Sequence, residues 1–544
     1  MRKTKRTKTS PSSRKKKLSP FFDYFNRALS FFRKIGKYNL AIIAILVISA
    51  ILRIYNFPVR WGLGSDDARD ALIGLEALKM HSLPLTGSFS SAGPFVIGPI
   101  FYWFIMLSYL ILPFAINAPW IFTAVICVLS VYVFIEIGEM LGGRKFGIIM
   151  GLLALTSPQL VVSATILSNT TFVYLFSALI ILFFLLLVKK GNKIYAFLAG
   201  IFLGLAISFH YSSLNLLIFI PAVFILPETG FKDKIKIFFI MLAGAIIPSI
   251  PLLYWDSQQN FANIRNIMDY FLLGQYRIYV PNSWKLFVFN YLPAFWSLSA
   301  GGYSVVSLTL FILSTIAFAI CALKKKISAS FIILGLIFFI LLIVNRYYHA
   351  ERSEGYMLYL IPFMLIMTSL VFYILLENKN RILNILGIIF LSLIILLNFS
   401  SFAVTYSYKS QFEKINKISS IFSARFPDQK FAIYDYKFRK ADTSIPLSLV
   451  LEFKNEISPD GIPIGVICDK CLPNVRYKKI AVITNTSYAN LGQFNNTKLD
   501  KTEKIWTEVN EQALYDNLVG WLSRHNLKST FSLKNYIMGK LGKI

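Results

Sequence analysis

Apolar residues in this chain come in long unbroken runs, not in the spaced stripes of soluble helices. Eleven runs are long enough to cross a hydrocarbon core about 30 Å thick. They lie near 39–56, 119–141, 146–163, 170–188, 194–209, 211–227, 235–254, 303–323, 327–345, 356–376 and 382–404. Polar residues collect between them. The pattern predicts a polytopic α-helical membrane protein of about 11 spans.

Charge orders the spans. Arg144-Lys145, Lys189-Lys190 with Lys193, Lys232 to Lys236, Lys324-Lys325-Lys326, and Lys379 with Arg381 each fall between consecutive runs. With the basic N-terminus they alternate correctly if all of them face the cytoplasm. Residues 94–113 are apolar too, but a crossing there would put every later basic loop outside. Pro94, Gly98 and Pro99 open that stretch, and Phe101, Tyr102 and Trp103 follow. The expectation is a helix lying in the interface. The C-terminal end of the chain then lies outside.

Three regions follow. Residues 1–38 form a basic cytoplasmic tail with an interfacial helix from Phe21 to Tyr38. Residues 39–405 form the transmembrane domain. Residues 406–544 form a small α/β extracytoplasmic domain, with strands near 431–436, 464–468 and 480–483 and a helix from Glu511 to Arg524.

Composition agrees with a membrane protein. Of 544 residues, 56% are hydrophobic and 15% charged, against about a quarter charged in soluble domains. The net charge of +29 could suggest nucleic acid. Its distribution excludes that partner: thirteen Lys and Arg crowd the first 38 residues, and the rest sit in short loops that suit anionic headgroups. The expected location is the plasma membrane, multi-pass. Cys127 and Cys321 fall inside apolar runs. Cys468 and Cys471 form a lone CxxC, half a zinc site at most, and read as a local disulfide or two idle thiols.

The candidate chemistry sits just beyond the first span, in Gly64-Ser65-Asp66-Asp67-Ala68-Arg69-Asp70. Ala68, Ala71, Leu72, Leu75 and Leu78 make a helical stripe, so the acids fall in the first turns of a helix at the membrane surface. Capping accounts for one acid at such a place. It does not account for three. A carboxylate here can act as general base toward a hydroxyl or amine, or hold a divalent cation against a phosphate. Either role suits group transfer from a lipid phosphate.

These residues carry a resemblance. The order span, loop, Asp-Asp-Ala-Arg, with the Gly98-Pro99-Ile-Phe-Tyr-Trp103 segment and the Gly142-Gly-Arg-Lys hairpin, resembles the C-type fold of integral membrane glycosyltransferases. The likeness is to the family-39-like group, which includes protein O-mannosyltransferases and lipid A aminoarabinose transferases. It covers about residues 39–405. It implies a polyprenyl-phosphate sugar donor, an active site on the outer face, and a first-loop aspartate as catalytic base. By position that base falls on Asp66, with Asp67 second in the pair. Relatives often carry a further acid in the second outer loop. This chain has Asn169 in that stretch, which leaves a thin shell for a metal. No cofactor is firmly indicated; a divalent metal, Mg or Mn, stays open, with Asp66 and Asp67 as its ligands.

Arg69, Asp70, Tyr102 and Asn169 complete the expected substrate contacts, with Tyr102 in the aromatic segment on the lipid side. His210 lies at an outer membrane edge, as a donor contact or as part of an aromatic belt. Arg346, His349 and Arg352 stand outside against the positive-inside trend. They would grip the donor phosphate, or pair with Glu351 and Glu354 as ordinary loop charges. The acceptor is a glycan, lipid or protein. Two other classes compete: a lipid-linked glycan polymerase or ligase, which would centre on outer-loop Arg and His, and a transporter, which would need ionisable residues in mid-span.

Overall fold

A computed structural model describes residues 36–88, 90, 94–226, 229–273, 283–348, 354–407, 410–425, 427–435, 441–458, 462–467 and 481–484. Among these residues, eight helices are long and apolar enough to cross a membrane. One of them, Ala118–Thr156, is broken at Gly143, whose φ of 79° no helix allows. Its two arms fold back on each other: a Cβ on Gly138 would lie 2.8 Å from the Gly147 backbone, and Ile135 packs at Gly151. The expected Gly142-Gly-Arg-Lys hairpin is therefore a turn between two helical arms. The second arm stops at Thr156, short of the expected 163, because Ser157-Pro158 restarts the chain as a separate short helix.

Other ends follow local rules. Val173–Lys190 stops at Gly191, which adopts the left-handed conformation at φ 65°, after Lys189 and Lys190 meet the negative end of the dipole. Arg381–Ala403 starts where the Asn380 side chain accepts from the Ile382 amide at 2.9 Å. The stretch expected as one helix over 211–227 winds instead through tight 3-10 turns and a short α-turn, Tyr211–Ile225. Helix Ile100–Ile111 has only 12 residues, about 18 Å at 1.5 Å per residue, well short of a hydrocarbon core.

Packing is densest at the centre. Almost every residue from Met357 to Phe372 is buried, so helix Ile361–Leu376 is enclosed on all sides. Helices Lys37–Ile54 and Arg381–Ala403 bury few residues and leave Ile48, Ile51, Ile388 and Leu396 open, as lipid contact requires. Helices Ile194–Phe209 and Phe231–Ile246 run side by side through small residues. Gly200 meets the Met241 carbonyl and Gly204 meets that of Ala245, the close approach that a Gly-x-x-x-Gly pair permits.

Charge gathers at one end of the bundle. Tyr38 donates to Glu139 at 2.6 Å, Lys145 pairs with Glu377 at 2.5 Å, and Lys193 with Asp233 at 2.7 Å. At the opposite end helices Ser65–Lys79 and Ile100–Ile111 pack together, and the second packs on the bundle.

The C-terminal residues that are described form helix Gln411–Arg425, strand β1 (Phe431–Asp435), helix Ala441–Phe453, and strands β2 (Ile462–Ile467) and β3 (Ala481–Thr484). The strands are parallel in the order β1-β2-β3, with Ile433 opposite Ile464 and Val466 opposite Ile483. Helix Ala441–Phe453 makes the crossover a parallel pair needs. The helix expected over 511–524 and the Cys468/Cys471 pair lie outside the described residues, as does the basic tail up to residue 35.

A side chain at Gly204 has no room: its Cβ would stand 2.2 Å from the Ala245 carbonyl oxygen. Gly204→Val should therefore lower stability by at least about 1–3 kcal/mol, the usual cost of overpacking. Thermal unfolding of the detergent-solubilised protein checks this, with Gly36→Ala, which meets nothing within 4 Å, as the control.

Candidate functional site

The acids expected to act lie on helix Ser65–Lys79. Its N-cap, Gly64, supplies no capping side chain, so Asp66 and Asp67 in the first turn face the dipole directly. The expected apolar stripe is present, but the helix is not a surface helix. Every residue from Asp70 to Ala77 is buried. Gly74 lies so close to Ile105 that an added Cβ would come within 2.4 Å. Helix Ile100–Ile111 covers one side of it, and helix Ala441–Phe453 packs on it as well.

The three aspartates have three environments. Asp66 is exposed and receives Arg69 Nη1 at 2.6 Å on one oxygen. Asp70 is buried; both Nε and Nη2 of Arg69 donate to its Oδ1, at 2.9 and 2.8 Å, and Tyr102 Oη lies 3.3 Å from the same atom. Burial pushes the Asp70 carboxyl up, and Arg69 pulls it back. Guanidinium does not deprotonate, so this is an ion pair. Asp67 is half-buried beside Gly62 and the Leu167 backbone. Burial, then Asp70 and Asp66, push its carboxyl well above the usual range.

Asp70 and Tyr102, expected among the substrate contacts, are both buried, and both lie in the cluster around Arg69. They hold Arg69, and through it the exposed Asp66. Arg69 in turn is occupied by two carboxylates.

The wall opposite comes from three further segments. Gly62 N–H donates to the Thr165 carbonyl at 2.9 Å, which fixes 163–171 against the aspartate helix. Asn169 donates its amide to the Phe209 carbonyl at 2.9 Å. That bond ties the same loop to the end of helix Ile194–Phe209, where His210 begins the next turn. His210 Nδ1 lies 2.9 Å from Ser212 Oγ, and the ring stacks on Tyr356 at 4.9 Å. Burial pushes its imidazole down to about 4, so it is neutral at ordinary pH. Gly98 seats against Ser208, its N–H 3.0 Å from the Ser208 carbonyl. Phe101, Phe104, Phe172 and Phe209 join the short helix to the bundle through edge-on contacts of 4.9–5.8 Å.

A family model described as dolichyl-phosphate-mannose-protein mannosyltransferase matches residues 94–255. Among solved structures, ArnT from Cupriavidus metallidurans bound to undecaprenyl phosphate superposes with a TM-score of 0.53 at 11% identity, over 78% of this chain and 86% of that one. Its apo state gives 0.52 at 10%, over 78% and 85%. The apo oligosaccharyltransferase of Archaeoglobus fulgidus gives 0.50 at 13%, over 77% of this chain and 64% of that one. The fold is that of the C-type integral membrane glycosyltransferases. No curated protein sequence matches this chain.

Beside the site of this C-type fold lies a cavity of about 260 Å³. Leu214, Leu252, Leu253, Ile264, Ile267 and Met268 make it apolar, and Gly98 and Ser208 connect it to the site wall. Asn263 anchors its rim: the Val96 N–H donates to Asn263 Oδ1 at 2.8 Å. Nothing in the spacing of the sequence announced this cavity, since its lining comes from separate segments spread between Gly98 and Met268. Tyr356, the partner of His210, was likewise missed.

Arg346 ends helix Ala329–Tyr347 and is buried with its guanidinium 3.8 Å above the Trp284 ring. His349 and Arg352 lie outside the described residues. Among the described residues no three His, Cys, Asp or Glu converge as metal ligands.

Because Asp70 holds Arg69, Asp70→Ala should cost about 2–4 kcal/mol, less than the full loss of a buried partner because Arg69 keeps Asp66. Tyr102→Phe should cost only about 0.5–1.5 kcal/mol. Thermal unfolding of both variants tests the order, and equal losses would contradict it.

Proposed function

We propose that this chain moves a sugar from a polyprenyl-phosphate donor to an acceptor at the outer face of the plasma membrane. The observation that carries this reading is the graded set of carboxylates. One is exposed with a free oxygen, one is half-buried with a raised pKa, and one is buried in an ion pair, all at the end of the bundle opposite the basic loops. The basic loops then face the cytoplasm, and the segment after residue 406 lies outside. Counting the two arms of Ala118–Thr156 separately and adding Ile194–Phe209 and Tyr211–Ile225 to the long helices gives eleven crossings.

The chemistry is a displacement at the anomeric carbon. Asp66 takes the proton of the acceptor hydroxyl or amine as that atom forms its bond to the sugar. The bond from the sugar to phosphate oxygen breaks, and its electrons leave with the polyprenyl phosphate. The leaving group is already ionised, so little general acid is needed. Asp67 stays protonated to higher pH than an ordinary carboxyl and can donate a hydrogen bond to a sugar oxygen, so two neighbouring carboxyls take two roles. The apolar cavity suits part of an isoprenoid tail, and Arg346, His349 and Arg352 are the cations for the phosphate.

Asp66→Asn should lower transfer about 10²–10⁴-fold, the scale of general-base loss, with the fold intact. The readout is mass added to membrane glycolipids or surface proteins by cells expressing each form. Near-normal transfer by Asp66→Asn would remove Asp66 from the mechanism.

A metal would have to compete with Arg69 for Asp66, and Asn169 supplies no charge in the second loop. Purified enzyme should keep most of its activity in excess EDTA. Complete loss, restored by Mg or Mn, would make Asp66 and Asp67 metal ligands.

A further inference from the structure

Away from the three aspartates, a second charged cluster joins the far end of the same helix to the C-terminal segment. Lys79 Nζ donates to Glu452 Oε1 at 2.5 Å, to the Glu452 carbonyl at 3.0 Å, and to Asn455 Oδ1 at 2.8 Å. Glu452 is buried, and so is Glu76, one turn before Lys79 on the aspartate helix. Glu76 Oε2 is buried with no hydrogen-bond partner. The helix that carries Glu452 is no loose appendage. Ile445 to Glu452 are all buried, enclosed by the aspartate helix, by helix Gln411–Arg425 and by β1. A crossover helix buried from Ile445 to Glu452 cannot leave without exposing that apolar surface.

We propose that Lys79 and Glu452 clamp the C-terminal segment onto the aspartate helix, so that this segment positions the catalytic carboxylates, with Glu76 as a proton-dependent latch. Two buried carboxylates share one nearby lysine. The charged groups facing Glu76 are Glu452 and Lys79; those facing Glu452 are Lys79 and Lys430. Helix Ile100–Ile111, packed on the same helix, brings no charge. Lys454 and Glu456 turn to helix Gln411–Arg425, bonding Ser419 and Ser423. Docking is therefore favoured when Glu76 carries a proton.

Geometry and titration agree in sign. Burial, then Glu452, raise the Glu76 carboxyl from 4.5 to about 8 in the docked state. The docked state thus binds the proton more strongly. Docking is strongest below the free value of 4.5, weakens as pH rises through the window, and has lost the whole contribution above about 8. A rigid helix transmits the change along its length, from Glu76 to Asp66 nearly three turns away.

The experiment is hydrogen exchange on the full chain in lipid nanodiscs between pH 6 and 9, with intrinsic rates subtracted, beside transfer kinetics. In the wild type, residues 65–79 and 441–453 should lose protection together as pH rises. Glu76→Gln should keep them protected and abolish that pH dependence. Lys79→Met should speed exchange in both segments at least about fivefold, the lower range of a coupling effect, and lower kcat with little change in KM for the donor. Lys79→Glu with Glu452→Lys should recover part of both. Unchanged exchange and kcat in Lys79→Met, or a pH dependence that survives in Glu76→Gln, would overturn the proposal. The kinetic half rests on the transferase reading, and the exchange half does not. If wild type transfers no sugar while Lys79→Met still frees residues 65–79, the coupling stands and the transferase reading fails.

Discussion

Three carboxylates within five residues repel one another, and one guanidinium, Arg69, decides how that repulsion is shared. Arg69 spends two bonds on the buried Asp70 and one on the exposed Asp66. At Asp67, burial and the like-charged Asp70 and Asp66 outweigh the pull of Arg69 and of the Leu167 backbone. The outcome depends on everything that fixes Arg69: the Tyr102 hydroxyl, the short helix Ile100–Ile111 that carries it, and the Phe101 contact that seats this helix on Phe209. The short helix thereby helps to hold Asp70 and Arg69 in place.

Lipid supplies no water to complete a broken backbone, so irregular segments must be satisfied by the protein itself. The bundle meets that demand with close backbone contacts. Gly98 can lie on Ser208, and Gly200 and Gly204 on Met241 and Ala245, only because no Cβ intervenes. These contacts fix the end of helix Ile194–Phe209, where Phe209 receives Asn169 and His210 turns toward Tyr356. Small residues in mid-bundle thus set the position of polar groups at its end.

The helical fold was legible because a membrane span needs nothing but an apolar run of sufficient length. Charged loops were legible for the same reason, as interruptions of those runs. The break at Gly143 was signalled by a Gly-Gly pair beside two cations. The tight turns over Tyr211–Ile225 were not, since composition there is as apolar as in any helix. Within the site, the helix and its stripe followed from spacing. The roles within the acid cluster did not, because burial depends on partners far along the chain. Asp70 is buried by Tyr102, and Glu76 by a helix more than 350 residues later. Long-range contacts of that kind leave no periodicity in either partner.

Two buried arginines show how the same end is held without acids. Arg53 lies inside the bundle, with Ser49 Oγ at 2.8 Å and the carbonyls of Ala154 and Leu155 at 3.2 Å. Arg60 reaches back to the carbonyls of Leu52, Arg53 and Tyr55 at 3.1–3.2 Å and lies 4.4 Å over the Tyr406 ring. Each guanidinium therefore sits at a helix C-terminus, where unpaired carbonyls and the dipole present negative charge. A carboxylate in either place would compete for the arginine and leave those carbonyls bare. Tyr406 closes the arrangement by donating to the Leu52 carbonyl at 2.7 Å, so the last long helix is fixed to the end of the first. The chain leaves the first span through this knot and reaches Asp66 only six residues after Arg60. The exposed carboxylate is thereby referred to a fixed point in the bundle.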